Sequence, residues 1–534
     1  MHLSKRRRGD KVYYYALEKK REGGKVKTTK QIYLGTAKDI AEKLTGKTES
    51  LVSTKIFGSI ALLLHIEKLY GLEGMFNESL AKKRRNNISG KYFLSIVFNR
   101  ILKPKSKAGI DKWLKTTYLD WYWDISTSSQ KLWNHLEYLD DDTISDIEGE
   151  IAKRTFELTD NNDREFLWDA TNHFTYMSNR GSSVLAKGKS KQGRHEKNLI
   201  CHGLLAGRES RMPLRIFQFK YMHDSKLFKE KINEVASFLK SYRDKEFTLI
   251  ADKGNNSEKN IKLLSKYRFI GSLRKEQAKN LLKIPLRDYQ YEYRTRKNSG
   301  VRIYDAGKQQ LYGSEYRVII SYEEQSRKKQ EKTLKDTIDR TYRAYEEIKD
   351  KKYKKSISAA NALKKILPRK YLKVFDKDIV GGGGEWTVKL SGNPLERKTY
   401  EQSFGKTVLF TNKFDSPPTE IAKSYRSLNI IEDQFKALHN AFMIPLTPVY
   451  EWTDQKIKAH VFLCYVALVM VRALELIAMR KGLNITFSKL LEEAEEVRVG
   501  IVKKGRSMNY CFERTTTPQQ KIMNIFDLHE FFTP

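Results

Sequence analysis

The stretch EFLWDATNHFTY, residues 165–176, is where the chain changes character. Aromatic, aliphatic and β-branched residues crowd a run too short for a helix, which is the composition of a strand. Working outward, LICHGLLAG (199–207), MPLRIFQFKY (212–221), EFTLIADKG (246–254) and YRFIGSLR (267–274) read the same way. Between the third and fourth runs lies DSKLFKEKINEVASFLKSY (224–242), with apolar residues at helical spacing. Three consecutive strands, a helix and a further strand predict a mixed α/β sheet, three antiparallel strands followed by a crossover.

Two carboxylates stand out in this block. Asp169 sits within an apolar strand, and Asp252 ends the run Phe-Thr-Leu-Ile-Ala. A carboxylate in such a place is disfavoured unless it is paired or binds a metal, and in α/β sheets the strand-end rim is where ligands bind. Ile-Ala-Asp-Lys-Gly is equally a plain strand-to-turn ending, so a structural role for Asp252 stays open. Asp224 is better explained as a helix-start residue. A third carboxylate lies far along the chain, in IAKSYRSLNIIEDQFKALHNAFMIPL (421–446). Read as one helix, this segment puts Tyr425, Leu428, Glu432, Phe435 and His439 on one stripe. A charge there calls for compensation by Arg426, by Lys436 or by a metal ion, unless it is a surface salt-bridge residue. Three carboxylates brought to one sheet edge can hold two Mg²⁺ ions about 4 Å apart, which serves phosphodiester chemistry without a Ser, Cys or His nucleophile.

Composition agrees with such a substrate. The 534 residues predict three or four domains. Lys plus Arg total 101 against 65 Asp plus Glu, a formal net charge of +36, and this implies a polyanionic partner, most often nucleic acid. The excess is spread along the chain, so a broad phosphate-contacting surface is expected. Cys201, Cys464 and Cys511 show no CxxC spacing, which argues against a disulfide framework or a zinc site and for a reducing cytoplasm. MHLSKRRRGD at the start has no apolar run behind it to make a signal peptide. The apolar run 461–479 carries Arg472 and Glu475 and reads as a core helix, with no membrane span expected.

Around the α/β block, residues 1–155 read as a DNA-binding region, a hairpin over 11–36 followed by helices with Lys/Arg-rich joints. Residues 156–285 form the first part of the catalytic domain and 406–482 its second part. The segment 286–405 departs from the rhythm and reads as an insertion, with strands, a long charged helix from about 322 to 366 and GGGGEWTVKL. Its four glycines, 381–384, lack the following Lys-Ser/Thr of a phosphate loop and predict a hairpin turn. The tail 483–534 is a candidate for dimerisation.

FLWDATNHF, LIADKGNNSEKNI and YRSLNIIEDQFKALHNAFMIPLTPVY, in this order and with an insertion between the second and third, resemble the DDE transposases of bacterial and archaeal insertion sequences. The match is to the branch with an RNase H-like core, a β-rich insertion and a Tyr-x2-Arg-x3-Glu-x6-Lys signature. The resemblance spans most of the chain. It implies Asp169, Asp252 and Glu432 as a catalytic, metal-binding triad for two Mg²⁺ ions, with Mn²⁺ able to substitute. It further implies double-stranded DNA as partner (element ends and target), a homodimer in the DNA complex, and a cytoplasmic, nucleoid-associated protein. Tyr425 and Glu432 keep the signature spacing, whereas Leu428 and His439 stand where it has Arg and Lys. Tyr425, Arg426, and Lys436 or His439, are therefore the implied DNA contacts. Trp386 is implied as a base-stacking residue, beside the alternative of a strand Trp in the insertion's own core. Two other functions stay open, a metal-dependent nuclease without strand transfer and an inactive DNA-binding descendant.

Overall fold

The computed structural model describes residues 1–532 apart from 23–24, 46–51, 84–88, 179, 221–223, 243–245, 253–255, 296–297, 441–442, 448, 450, 505–506 and 513–514. The chain forms two compact units, residues 1–222 with 429–534, and residues 223–428.

The first unit opens with β1 (His2–Arg8), β2 (Lys11–Glu22) and β3 (Lys25–Gly35), an antiparallel sheet in that order. The expected hairpin is thus present with one strand more. Next come β4 (Val52–Ile56) and the helices α1 (Gly58–Tyr70), α2 (Leu72–Lys82), α3 (Gly90–Leu102), α4 (Lys107–Leu114) and α5 (Asp141–Leu158). Helix α1 stops at Gly71, whose φ of 72° is the left-handed geometry that glycine accepts without strain. Asp140 caps α5, accepting the Thr143 N–H at 3.0 Å. The strand-like run that opened the sequence reading is β5 (Glu165–Thr175), followed by β6 (Leu185–Lys187), β7 (Asn198–Gly207) and β8 (Pro213–Phe219). β7 is antiparallel to β5 along one edge and to β6 and β8 along the other. Every residue of β7 is buried, which suits a central strand.

The second unit begins with α6 (Asp224–Tyr242), β9 (Thr248–Ala251), α7 (Glu258–Leu264) and β10 (Arg268–Ser272). β9 and β10 are parallel, joined by the crossover helix α7. Then follow β11 (Tyr291–Arg294), β12 (Gly300–Leu311), β13 (Ser314–Glu323), α8 (Glu324–Glu346), α9 (Ser356–Ile366), β14 (Phe375–Gly382), β15 (Glu385–Gly392), β16 (Lys406–Thr411) and α10 (Pro418–Arg426). The strand order is β11-β12-β13-β16-β10-β9, antiparallel except for the last pair. The architecture is therefore α/β with a mixed sheet.

Two expectations change here. The strands of 291–323, read as part of an insertion, pair through β13 with β16 and belong to the main sheet of their unit. The separate piece is 324–404, which has its own apolar core of Leu334, Leu363, Tyr371, Phe375, Val388 and Phe404. The single charged helix of about 322–366 is two helices, α8 and α9, with a break over 347–355.

The chain returns to the first unit with α11 (Asn429–His439), α12 (Asp454–Arg480), β17 (Arg498–Lys504) and β18 (Ser507–Phe512). β17 pairs with β4 and β18, so the tail completes a sheet begun near residue 52. Helix α12 is long and apolar enough to cross a membrane, yet Val461 to Val471 are all buried and the helix packs against α3 and β8. It is the spine of this unit's core, as its interior charges foretold.

Candidate active site

In the first unit the site is built on β5. Asp169, Thr171 and His173 alternate onto one face of the strand, and the register sets Asp169 opposite Leu204 and Thr171 opposite His202. The His173 and His202 rings stack with centroids 5.0 Å apart. Helix α11 lies across this face, its His439 ring flat on His173 at 3.8 Å and its Phe435 edge-on to His202 at 5.7 Å. His439 thus marks the level of His173, and Phe435 the level of Thr171. Glu432 lies three residues before Phe435 on the same helix.

Asp169 is half-buried and accepts its neighbour's N–H, from Ala170 at 2.7 Å. Glu432 is exposed, in the first turn of α11, and forms no hydrogen bond or ion pair among the described residues. The compensation expected from the sequence is therefore corrected. Lys436 pairs with Asp433 at 2.9 Å and Arg426 with Glu323 at 2.9 Å. The helix read as continuous over 421–446 is also interrupted, because Ser427 and Leu428 lie between α10 and α11.

Three histidines of this face were not read together from the sequence. His173 and His202 are fully buried, and none of their four ring nitrogens has a hydrogen-bond partner among the described residues. Burial, reinforced by neighbouring cationic groups, pushes His202 down to about 3 and His173 well below the ordinary histidine range. His439 is lowered too, by burial and then by Lys191. It is a neutral ring stacked on another ring, not the cation that the signature position implies. Lys191 was also missed. It lies in the basic segment KGKSKQGRHEK (187–197), and its Nζ reaches the carbonyl of Ala170, beside Asp169.

In the second unit, Asp252 follows directly on β9 and is half-buried. Tyr425 of α10 donates its hydroxyl to Asp252 Oδ1 at 2.8 Å. With its proton so used, Tyr425 Oη accepts from Ser272 Oγ at 2.7 Å, at the end of β10. The chain Ser272–Tyr425–Asp252 fixes one carboxylate oxygen in direction. Arg426, next to Tyr425, is held by Glu323, whose carboxyl burial pushes up but Arg426 brings below its ordinary range. Trp386 sits in β15 opposite Gly381, exchanging backbone hydrogen bonds with Tyr353 at 2.8 and 2.9 Å. Its indole is half-buried against the apolar core of 324–404, which is the structural alternative weighed for it.

Among the described residues no group of three or more His, Cys, Asp or Glu is assembled to hold a metal. The expected donors are nonetheless carboxylate oxygens throughout, the chemistry of Mg²⁺ and Mn²⁺. The unpaired Glu432 fits a carboxylate reserved for a cation.

No family model and no curated protein matches the chain. Among solved structures it is similar to a piggyBac transposase synaptic complex with hairpin DNA, at 9% identity and a TM-score of 0.35, over 89% of this chain and 81% of that one. A similarity this low leaves the functional assignment to the residues themselves.

Proposed function

We propose that this protein is a DDE-type transposase with an RNase H-like core, which cuts and joins double-stranded DNA at three carboxylates, Asp169, Asp252 and Glu432. The observation that supports the reading best is Glu432, exposed in the first turn of α11, the helix whose His439 and Phe435 rings pack on His173 and His202 of the β5–β7 pair that carries Asp169. Asp252, oriented by Tyr425, is the third ligand in this reading.

When bound, two Mg²⁺ ions would supply Lewis-acid activation of a water or 3′-hydroxyl and neutralise the leaving oxygen. The chain's own residues do the rest. Tyr425 holds Asp252 in one orientation. Lys191 and the cations of 187–197 hold the DNA backbone near Asp169. The neutral histidine stack seats α11 on the sheet and so sets the position of Glu432. In the same reading the protein acts on element ends as a homodimer, in the nucleoid-associated cytoplasm.

Asp169→Ala, Asp252→Ala and Glu432→Ala should each abolish strand cleavage while leaving DNA binding in place. Wild-type cleavage by any one of them removes that residue from the site. A nuclease of the same fold is the second reading, and offering a DNA end with a free 3′-hydroxyl together with a target plasmid separates the two. Joined product supports the transposase, and cutting without joining supports the nuclease. No cleavage by the wild type, with DNA binding intact, would favour a DNA-binding descendant that no longer cuts.

A further inference from the structure

A cavity of about 270 Å³ opens in the unit formed by residues 1–222 and 429–534, lined by the end of α3, the start of α4, and Pro445, Thr447, Glu451 and His460. Its wall carries Arg100, Lys105 and Lys107 against a single carboxylate, Glu451. That carboxylate is already matched. Lys107 Nζ pairs with Glu451 Oε1, and His460 Nδ1 lies 3.6 Å from the same oxygen. Burial pushes the Glu451 carboxyl up, but His460 and Lys107 outweigh it and hold it below its ordinary range. His460 Nε2 faces the Leu446 carbonyl at 2.9 Å, so that nitrogen carries a proton. Arg100, which spends one N–H on the Pro445 carbonyl at 3.0 Å, and Lys105, whose side chain is exposed, remain as excess positive charge.

A second observation is independent of charge. Asn99 lines the cavity and is 1% exposed. Its Oδ1 accepts the Lys105 N–H at 3.0 Å, which orients the amide and leaves Nδ2 as a buried donor with no acceptor. A donor in that state costs stability unless a ligand supplies the acceptor. Close by, α4 begins after Ser106, whose side chain makes no capping bond, so the first-turn N–H groups other than that of Gly109, which bonds the Ser106 carbonyl at 2.8 Å, have no side-chain cap. The space is below the roughly 300–1,000 Å³ of sites for drug-sized ligands. Excess cations, a stranded donor and a helix start in a small space describe a site for a compact anion rich in acceptor oxygens.

We propose that this cavity binds a phosphate group, presented either by a nucleic-acid backbone or as free phosphate. The proposal does not depend on the carboxylate triad and stands whether or not the chain cuts DNA. The test uses the full chain, with inorganic phosphate titrated at constant ionic strength and followed by thermal midpoint and calorimetry. Wild type should show a saturable rise in midpoint that chloride does not reproduce. Lys105→Glu, and Asn99→Asp (which keeps the acceptor for Lys105 and replaces the stranded donor), should lose it. Lys112→Glu, an exposed charge change on α4 outside the cavity, should retain it. If Asn99→Asp fails to fold, Lys105→Glu decides the matter. Binding of duplex DNA across a salt series then separates the sources. A log–log salt slope lowered by about one unit in Lys105→Glu but not in Lys112→Glu assigns the site to a backbone phosphate. Equal slopes with the phosphate response intact assign it to free phosphate. No phosphate response in wild type, or one that survives Lys105→Glu, overturns the proposal.

Discussion

Glu432 makes no hydrogen bond or close ion pair among the described residues, its nearest compensation being the field of Lys436 one turn along the helix, and its exposure means the fold does not depend on it. Glu432→Gln should therefore leave the thermal midpoint within about 0.5 kcal/mol of wild type while abolishing cleavage. A structural residue would show the opposite pattern. Tyr425 tests the support of the site rather than its ligands. Tyr425→Phe removes the donor to Asp252 Oδ1, and should cost roughly 1 kcal/mol of stability and about 10- to 100-fold in cleavage rate. The histidine stack predicts a pH dependence with a definite sign. His202 sits at about 3 when folded, below the ordinary histidine value of about 6.5 that holds when unfolded. Its contribution is fully present above about pH 6.5 and is lost as the pH falls below that value, because the unfolded chain then takes up the proton first. Thermal midpoints measured from pH 7.5 to 5 should fall in wild type, and less steeply in His202→Phe.

At the scale of elements, 324–404 has its own core and enters and leaves through neighbouring strands. Tyr322 of β13 pairs with Lys406 of β16, and the Glu323 N–H donates to the Gly405 carbonyl at 3.0 Å. Replacing 324–404 with a short Asn-Gly turn should therefore leave the sheet folded, with circular dichroism retaining a cooperative transition. Loss of that transition would make the segment part of the unit's core. Helix α12 is the contrary case, since Leu468 is fully buried and Leu468→Ala should cost about 2–5 kcal/mol. What was legible in the sequence divides along the same line. Strands β5, β7, β8, β9 and β10, the Gly71 stop and the buried character of α12 follow from local periodicity and turn chemistry. β4 and β6 are too short to announce themselves. The membership of β11 to β13 in the main sheet depends on pairing with β16, far away in sequence, which no local pattern encodes. The break at Ser427 and Leu428 was hidden because the apolar stripe continues across it.

For the molecule as a whole, the +36 charge makes the proposed DNA affinity a matter of ion release. Binding to duplex DNA should weaken steeply with salt, by about 10³- to 10⁵-fold between 50 and 200 mM for six to ten neutralised phosphates, and a flat response would remove nucleic acid as the partner. Asp169, Asp252 and Glu432 stood out as residue types in sequence order, whereas the hydrogen bond of Tyr425 to Asp252 was not read, since the signature spacing implied a DNA contact for Tyr425. The candidate site was not legible as a packed object, because the stack of His173, His202 and His439 joins two strands and a distant helix. Lys191 looked like one lysine among many until its segment was seen to fold back on β5. The central proposal is that Asp169, Asp252 and Glu432 hold the same divalent cations. The most direct measurement replaces Mg²⁺ with Fe²⁺ and ascorbate and maps where the bound iron cuts the polypeptide. The account predicts cuts near Asp169, Asp252 and Glu432 together, suppressed by excess Mg²⁺ and lost at all three places in Glu432→Ala. Cuts confined to one of the three, or unchanged in Glu432→Ala, would contradict it.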